Sequence, residues 1–279
     1  MKKFLTLILF FILIISASCG SQYDARNPEE YLMDAVNRLH KKDSVEGNYQ
    51  IQKTYTIDGK DFEETVQVQS QMIKKDYLSK MVKTVETNDP AIKDQLLASQ
   101  VTVYTQKNKD VKTDFIQVLD RNGEITKIDR GEIKNNGLLP IVENGWNPER
   151  LLWDGVFYRN KEISGKEETV TINDVECYEN HLVTDIIPDY TVFIGNIDWK
   201  TDLVETIVYP FPEFTVENPM EYTVFVDVKE KIPVRVEATY TNLVDKRKDG
   251  KTYRVEEQQN FVVDYSNING VEELTIPKV

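Results

Sequence analysis

Cysteine and histidine are nearly absent from this 279-residue chain, with two of each. The histidines, His40 and His181, lie far apart, and no H-E-x-x-H or Cys/His cluster occurs, so no metal site of imidazole and thiolate is expected. G-x-S-x-G, Walker A and G-x-G-x-x-G sequences are missing too. Their absence removes the usual sequence signs of a serine hydrolase, a P-loop site and a dinucleotide site. Bases are outnumbered: 34 Lys and Arg against 47 Asp and Glu give a formal charge of -13. Nucleic acid demands a positive surface, so that partner is excluded, and anionic lipid headgroups repel such a chain. No apolar run reaches the roughly 20 residues that span a bilayer. Nothing in these patterns requires an enzyme or a cofactor.

What is present begins at the N-terminus. Lys2 and Lys3 precede an almost unbroken apolar run, Phe4 to Ile15, and then Ser16, Ala17 and Ser18 stand before Cys19. Charge, apolar segment and small residues, in that order, make a secretory signal. The stretch Ile15-Ser16-Ala17-Ser18-Cys19-Gly20 also resembles a bacterial lipobox, departing from it at Ser16, where an aliphatic residue is commoner. The resemblance implies removal of residues 1–18, palmitate-like acyl chains on Cys19, and residues 19–26 as a tether. Each buried methylene stabilises attachment by about 0.8 kcal/mol, so two or three chains hold a soluble domain firmly. Gly20 rather than Asp after the cysteine implies the outer membrane in a two-membrane host, and otherwise the outer face of the cell membrane. Loss of Lys2 and Lys3 takes the formal charge from -13 to -15. With Cys19 acylated, Cys177 is alone and reads as a buried small hydrophobe.

Beyond the tether, Asn27-Pro28-Glu29-Glu30 reads as a helix start, with Asn27 as N-cap and Pro28 at the first position. Tyr31, Leu32, Ala35, Val36 and Leu39 share a face, and His40 closes the helix. Alternating strands follow over 49–57 and 62–72 with Asp58-Gly59 as the turn. A short helix is expected from Asp89-Pro90 to Ala98. Strands follow at Val101–Thr105, Phe115–Leu119 and Ile125–Ile128, with 120–123 as a turn rather than a calcium loop. A helical turn or two is expected from Glu149 to Trp153, and a hairpin at 170–178 around Asn173-Asp174. Two further strands read at Tyr190–Ile194 and Val204–Tyr209. The last third alternates over 222–228, 232–240, 253–255 and 261–265, with Asp245 to Lys251 as a charged hairpin tip and Val271 to Ile276 as a closing strand. Glu63-Glu64 and Glu167-Glu168 read as solvated strand edges rather than a glycosidase dyad.

The fold class is mainly β: a large, curved antiparallel sheet, or incomplete barrel, with an N-terminal helix and short helices on the concave side, over 27–279 as one domain. One-sided apolar strands must cover that side, and the few helices are too small to cover all of it. The segment Val224-Phe225-Val226-Asp227-Val228-Lys229-Glu230-Lys231-Ile232-Pro233-Val234-Arg235-Val236-Glu237, and the closing Val263-Asp264-Tyr265 to Ile276-Pro277, resemble the LolA/LppX-like superfamily of envelope proteins. That resemblance implies a half-open barrel whose apolar concave face holds acyl chains or a lipidated partner. An anchor at Cys19 then points to a stationary receptor rather than a shuttling carrier.

One aromatic cluster, Trp146, Leu151, Leu152, Trp153, Phe157 and Tyr158, is the candidate for ligand contact, as a lid over the cavity. Plain core packing is the competing reading of the same residues. The competing function is a structural or protein-interaction lipoprotein of the envelope, with a solid core and an acidic binding surface.

Overall fold

The computed structural model of the chain describes residues 27–76, 78–90, 100–107, 113–121, 124–132, 149–184, 220–248 and 251–275. Helix α1 (Pro28–His40) starts as its sequence dictates: the Asn27 side chain accepts from the Glu30 N–H at 3.3 Å, Pro28 needs no partner at the first position, and Glu29 and Glu30 face the positive end of the dipole. Its 3–4 spacing buries Leu32, Ala35, Val36 and Leu39. Burying such aliphatic side chains is worth about 1.5–3 kcal/mol for each larger one, so this face, rather than helix propensity, fixes α1.

Eleven antiparallel strands follow. β1 (Ser44–Ile57), β2 (Lys60–Ile73), β3 (Leu78–Thr87), β4 (Gln100–Lys107), β5 (Thr113–Arg121) and β6 (Glu124–Glu132) form a meander. After helix α2 (Arg150–Phe157), β7 (Asn160–Ile172), β8 (Val175–Thr184), β9 (Met220–Asp227), β10 (Pro233–Lys248) and β11 (Lys251–Ser266) form another. Pairing of β1 with β11, from Glu46 opposite Ser266 to Thr54 opposite Gln258, joins the two into one open sheet in the order β6-β5-β4-β3-β2-β1-β11-β10-β9-β8-β7. The edges are β6 and β7. On β7, Lys161, Glu162, Lys166, Glu167 and Glu168 are exposed and the register breaks twice, features that discourage another strand from adding there.

Local turn chemistry sets the hairpins. Asp58 and Gly59 both have positive φ (+51° and +73°), as do Asn173 and Asp174 (+49° and +64°), the geometry whose twist matches flanking strands. At the β9–β10 turn, Asp227 Oδ1 accepts from the N–H groups of Lys229 (2.6 Å) and Glu230 (3.0 Å), Lys231 takes a φ of +55°, and Pro233 opens β10. This is the hairpin that carried the family resemblance, and its Asp and Pro do the work expected of them.

Several boundaries differ from the sequence reading. β10 and β11 pair as far as Lys248 opposite Lys251, so most of the expected tip at Asp245–Lys251 is strand. Cross-strand partners of mixed charge, such as Asp245 opposite Arg254, let a charged run pair. β9 ends at Asp227, which places Val228 in the turn. Residues 271–275 form no strand. They fold against the start of β1 instead, where Val271 N–H donates to Ser44 Oγ at 3.1 Å and Val271 and Leu274 pack on Ile73. Glu64 is not a solvated edge residue, since β2 is internal and Glu64 faces Lys53. The helix expected up to Ala98, and the strands at 190–194 and 204–209, fall outside the described residues, as do Cys19 and the signal.

Candidate functional site

α1 and α2 lie on one face of the sheet, with their main contacts to β7, β8 and β10. On that inner face, Tyr49 and Ile51 of β1, Val66 and Val68 of β2, Val236 of β10 and Phe261 of β11 join Leu32, Leu39, Leu151 and Leu152 in the main apolar cluster. Towards the β1–β2 turn a second cluster forms from Tyr55, Ile57, Phe62 and Val255, with the Tyr55 and Phe62 rings stacked 5.5 Å apart.

A ladder of alternating charge separates the two clusters: Glu64 of β2, Lys53 of β1, Glu257 of β11 and Lys246 of β10. Lys53 Nζ is 3.9 Å from Glu64, with side chains 11% and 12% exposed; Lys246 Nζ is 2.5 Å from Glu257, with side chains 19% and 3% exposed. Gln259 donates to Glu257, and the Tyr240 hydroxyl donates to Gln259 at 2.5 Å. Burial alone pushes the Glu257 carboxyl up, but the ammonium groups of Lys53 and Lys246 outweigh it and hold the group below the usual carboxylate range. Lys246 Nζ also sits 4.2 Å from the centre of the Tyr55 ring, and the Tyr55 hydroxyl donates to Asp89 at 2.5 Å.

Behind the main cluster a second charged knot fixes the helices. The buried Glu149 carboxylate receives Lys74 Nζ at 2.7 Å and lies 2.6 Å from His40 Nδ1. Lys74 donates to the carbonyls of Leu39 (2.9 Å) and His40 (2.8 Å) as well, capping the negative end of α1. Burial pulls the Lys74 ammonium down despite the favourable field of Glu149. Trp153 packs on His40 at 4.0 Å and on Phe157 at 4.4 Å.

Of the predicted contact residues, Leu151 and Leu152 are buried in the main cluster, Trp153 and Phe157 are half-buried at its margin, and Tyr158 is 71% exposed. Trp146 lies outside the described residues. Cys177 is buried and its thiol is pushed up to about 11, chiefly by burial and then by Asp227, in keeping with its reading as a small hydrophobe. Sequence reasoning missed Glu149, Lys74 and the whole ladder. One signal was available: Lys53 occupies an inward position between Ile51 and Tyr55, where the alternation calls for an apolar residue.

Among the described residues no group of three His, Cys, Asp or Glu is placed to hold a metal ion, and no helix is long and apolar enough to cross a membrane.

No protein-family model and no curated protein matches the chain. Solved structures do, at low identity. LprF from Mycobacterium bovis is 9% identical with a TM-score of 0.43, over 93% of this chain and 99% of that one. A domain assigned to outer membrane lipoprotein sorting, from Vibrio parahaemolyticus, is 9% identical with a TM-score of 0.27, over 87% and 92%. A DUF1329 family protein from Desulfovibrio piger is 10% identical with a TM-score of 0.29, over 87% and 91%. Likeness at this level concerns the arrangement of the sheet and says nothing of ligands.

Proposed function

We propose that this chain is a membrane-anchored envelope lipoprotein, non-catalytic, which binds an acyl chain, a lipid or a lipidated partner on the inner face of its half-barrel. The supporting observation is that inner face itself, where apolar side chains of β1, β2, β10 and β11 gather with those of α1 and α2 into one continuous cluster. Eleven strands at about 4.8 Å spacing make a face roughly 50 Å wide. Among the described residues the helices, of 13 and 8 residues, are about 20 and 12 Å long and contact chiefly β7, β8 and β10. A hydrocarbon chain seated among these side chains would leave water with about 25 cal/mol of stabilisation per Å² of its apolar surface buried. The acyl groups on Cys19 hold the receptor at the membrane, where such ligands partition. The polar ladder sets the depth to which a chain can run among the strands, since a methylene gains nothing beside paired charges.

Uptake of a fluorescent fatty acid by the full chain, in a detergent-free nanodisc, tests the reading. Saturable emission that unlabelled palmitate competes away supports it. Absence of saturable binding, together with recovery of one stoichiometric protein partner after crosslinking, favours the structural lipoprotein instead.

A further inference from the structure

The outer face of the central strands carries a feature that the inner-face reading does not use. Two rows of side chains cross four neighbouring strands in register. One runs Val82, Gln69, Asn48, Asp264, and the next runs Thr84, Gln67, Gln50, Val262. Together they line a depression of about 480 Å³. Four amides form its centre in a chain whose composition is 29% charged. Asp264, the one acid in the rows, is held by Arg235 in a two-pronged pair at 2.6 and 3.0 Å. A charged ligand therefore finds no free counter-charge among these eight side chains.

The amides are not equivalent. Glu46, in the adjoining row, accepts from Gln69 Nε2 at 2.9 Å and Asn48 Nδ2 at 3.3 Å. A carboxylate can only accept, so these two amides must turn their nitrogens to Glu46 and their carbonyl oxygens away from it. Gln50 and Gln67 are exposed beside them and have no side-chain partner among the described residues, leaving donors and acceptors available. The half-buried Val82 and Val262 stand at opposite ends of the grid.

We infer that this grid of Asn48, Gln50, Gln67 and Gln69 is a binding site for a neutral polyhydroxylated ligand, a saccharide unit. A pyranose carries alternating donors and acceptors on its rim and apolar C–H groups on its faces, matching amides flanked by valines. Four strands span roughly 14 Å, the size of one or two sugar rings. A peptide is disfavoured because its recognition by a sheet uses an open edge, and β1 and β2 are internal, with both neighbours paired. For a protein tethered at a cell surface, the ligand would be a glycan of the envelope, presented to the face opposite the lipid-binding one.

The test uses the full chain, labelled with 15N-glutamine, in a detergent without a sugar headgroup. Maltotetraose and chitotetraose are titrated to tens of millimolar while the side-chain NH2 signals are followed, those of Gln50 and Gln67 being assigned with Q50A and Q67A. Saturable shifts of both signals, with the Gln69 signal reporting an affinity at least about tenfold weaker in the exposed double variant Q50A/Q67A, support the site. Signals that stay still with both sugars overturn it. So does a Gln69 shift in Q50A/Q67A that saturates with wild-type affinity, or a neutral tetrapeptide that moves the Gln50 and Gln67 signals when the sugars do not. Fatty-acid uptake, measured on Q50A/Q67A, stays at the wild-type level, which separates this outcome from that of the inner face.

Discussion

Replacing Glu257 by Gln keeps the shape of the inner-face ladder and removes its central charge, leaving Lys246 and Lys53 facing a neutral amide. Breaking a buried pair by removing one partner costs about 3–5 kcal/mol. The two lysines retain 19% and 11% side-chain exposure and can stretch their ammonium groups towards water, which lowers the expected loss to about 2–3 kcal/mol. With a urea m-value of about 3 kcal/mol/M for a chain this size, the unfolding midpoint falls by about 1 M. The pH dependence has a defined sign. Glu257 is held below the ordinary carboxylate value of 4.5 in the fold, so its contribution is present above that pH and is lost as pH falls through the folded value. Wild type should therefore lose stability in acid more steeply than Glu257→Gln. A companion double variant, Glu257→Leu with Lys246→Met, should be more stable than Glu257→Gln because it removes both charges of the closer pair. Urea titrations followed by circular dichroism at neutral pH and at about pH 4 read all three. A Glu257→Gln midpoint within about 0.2 M of wild type at neutral pH would refute the assignment of the ladder as a buried, mutually dependent network.

Lys74→Met should cost about 3 kcal/mol, because the buried Glu149 loses its ammonium partner and two α1 carbonyls lose their donor; urea unfolding and hydrogen exchange in α1 would register it. Asn27→Ala should lower stability by about 1 kcal/mol through the lost cap, and Asn27→Ser should restore most of it. Cys177 should resist a thiol reagent at pH 8 in the folded protein and react in urea, since burial raises its thiol to about 11. Fast labelling of the native protein would contradict its burial.

Local elements were readable from the sequence because their causes are local. The Asn27-Pro28 start of α1, the Asp58-Gly59 and Asn173-Asp174 turns, and the Asp227 to Pro233 hairpin each combine a backbone requirement with the residue that meets it. The mainly β class followed from period-two alternation. Pairing across the chain was not readable. The contact of β1 with β11 links residues more than two hundred positions apart, and nothing in either strand names the other. The ladder was hidden for the same reason: Lys53, Glu64, Lys246 and Glu257 look like ordinary surface charges until four strands bring them together on the inner face. The α2 cluster was visible as apolar, but its division into core, margin and solvent depends on packing against α1 and the sheet, and Glu149 beside it pairs with His40 and Lys74 from elsewhere in the fold.

The central claim, a lipid-binding inner face, is most directly tested by native mass spectrometry of the full chain purified from a bacterial host. The account predicts non-covalent mass in the range of a fatty acid or phospholipid, lost on denaturation, in addition to covalent acyl mass on Cys19. A protein that carries only its covalent acyl groups, and gains no mass when incubated with palmitate or phospholipid, would contradict it.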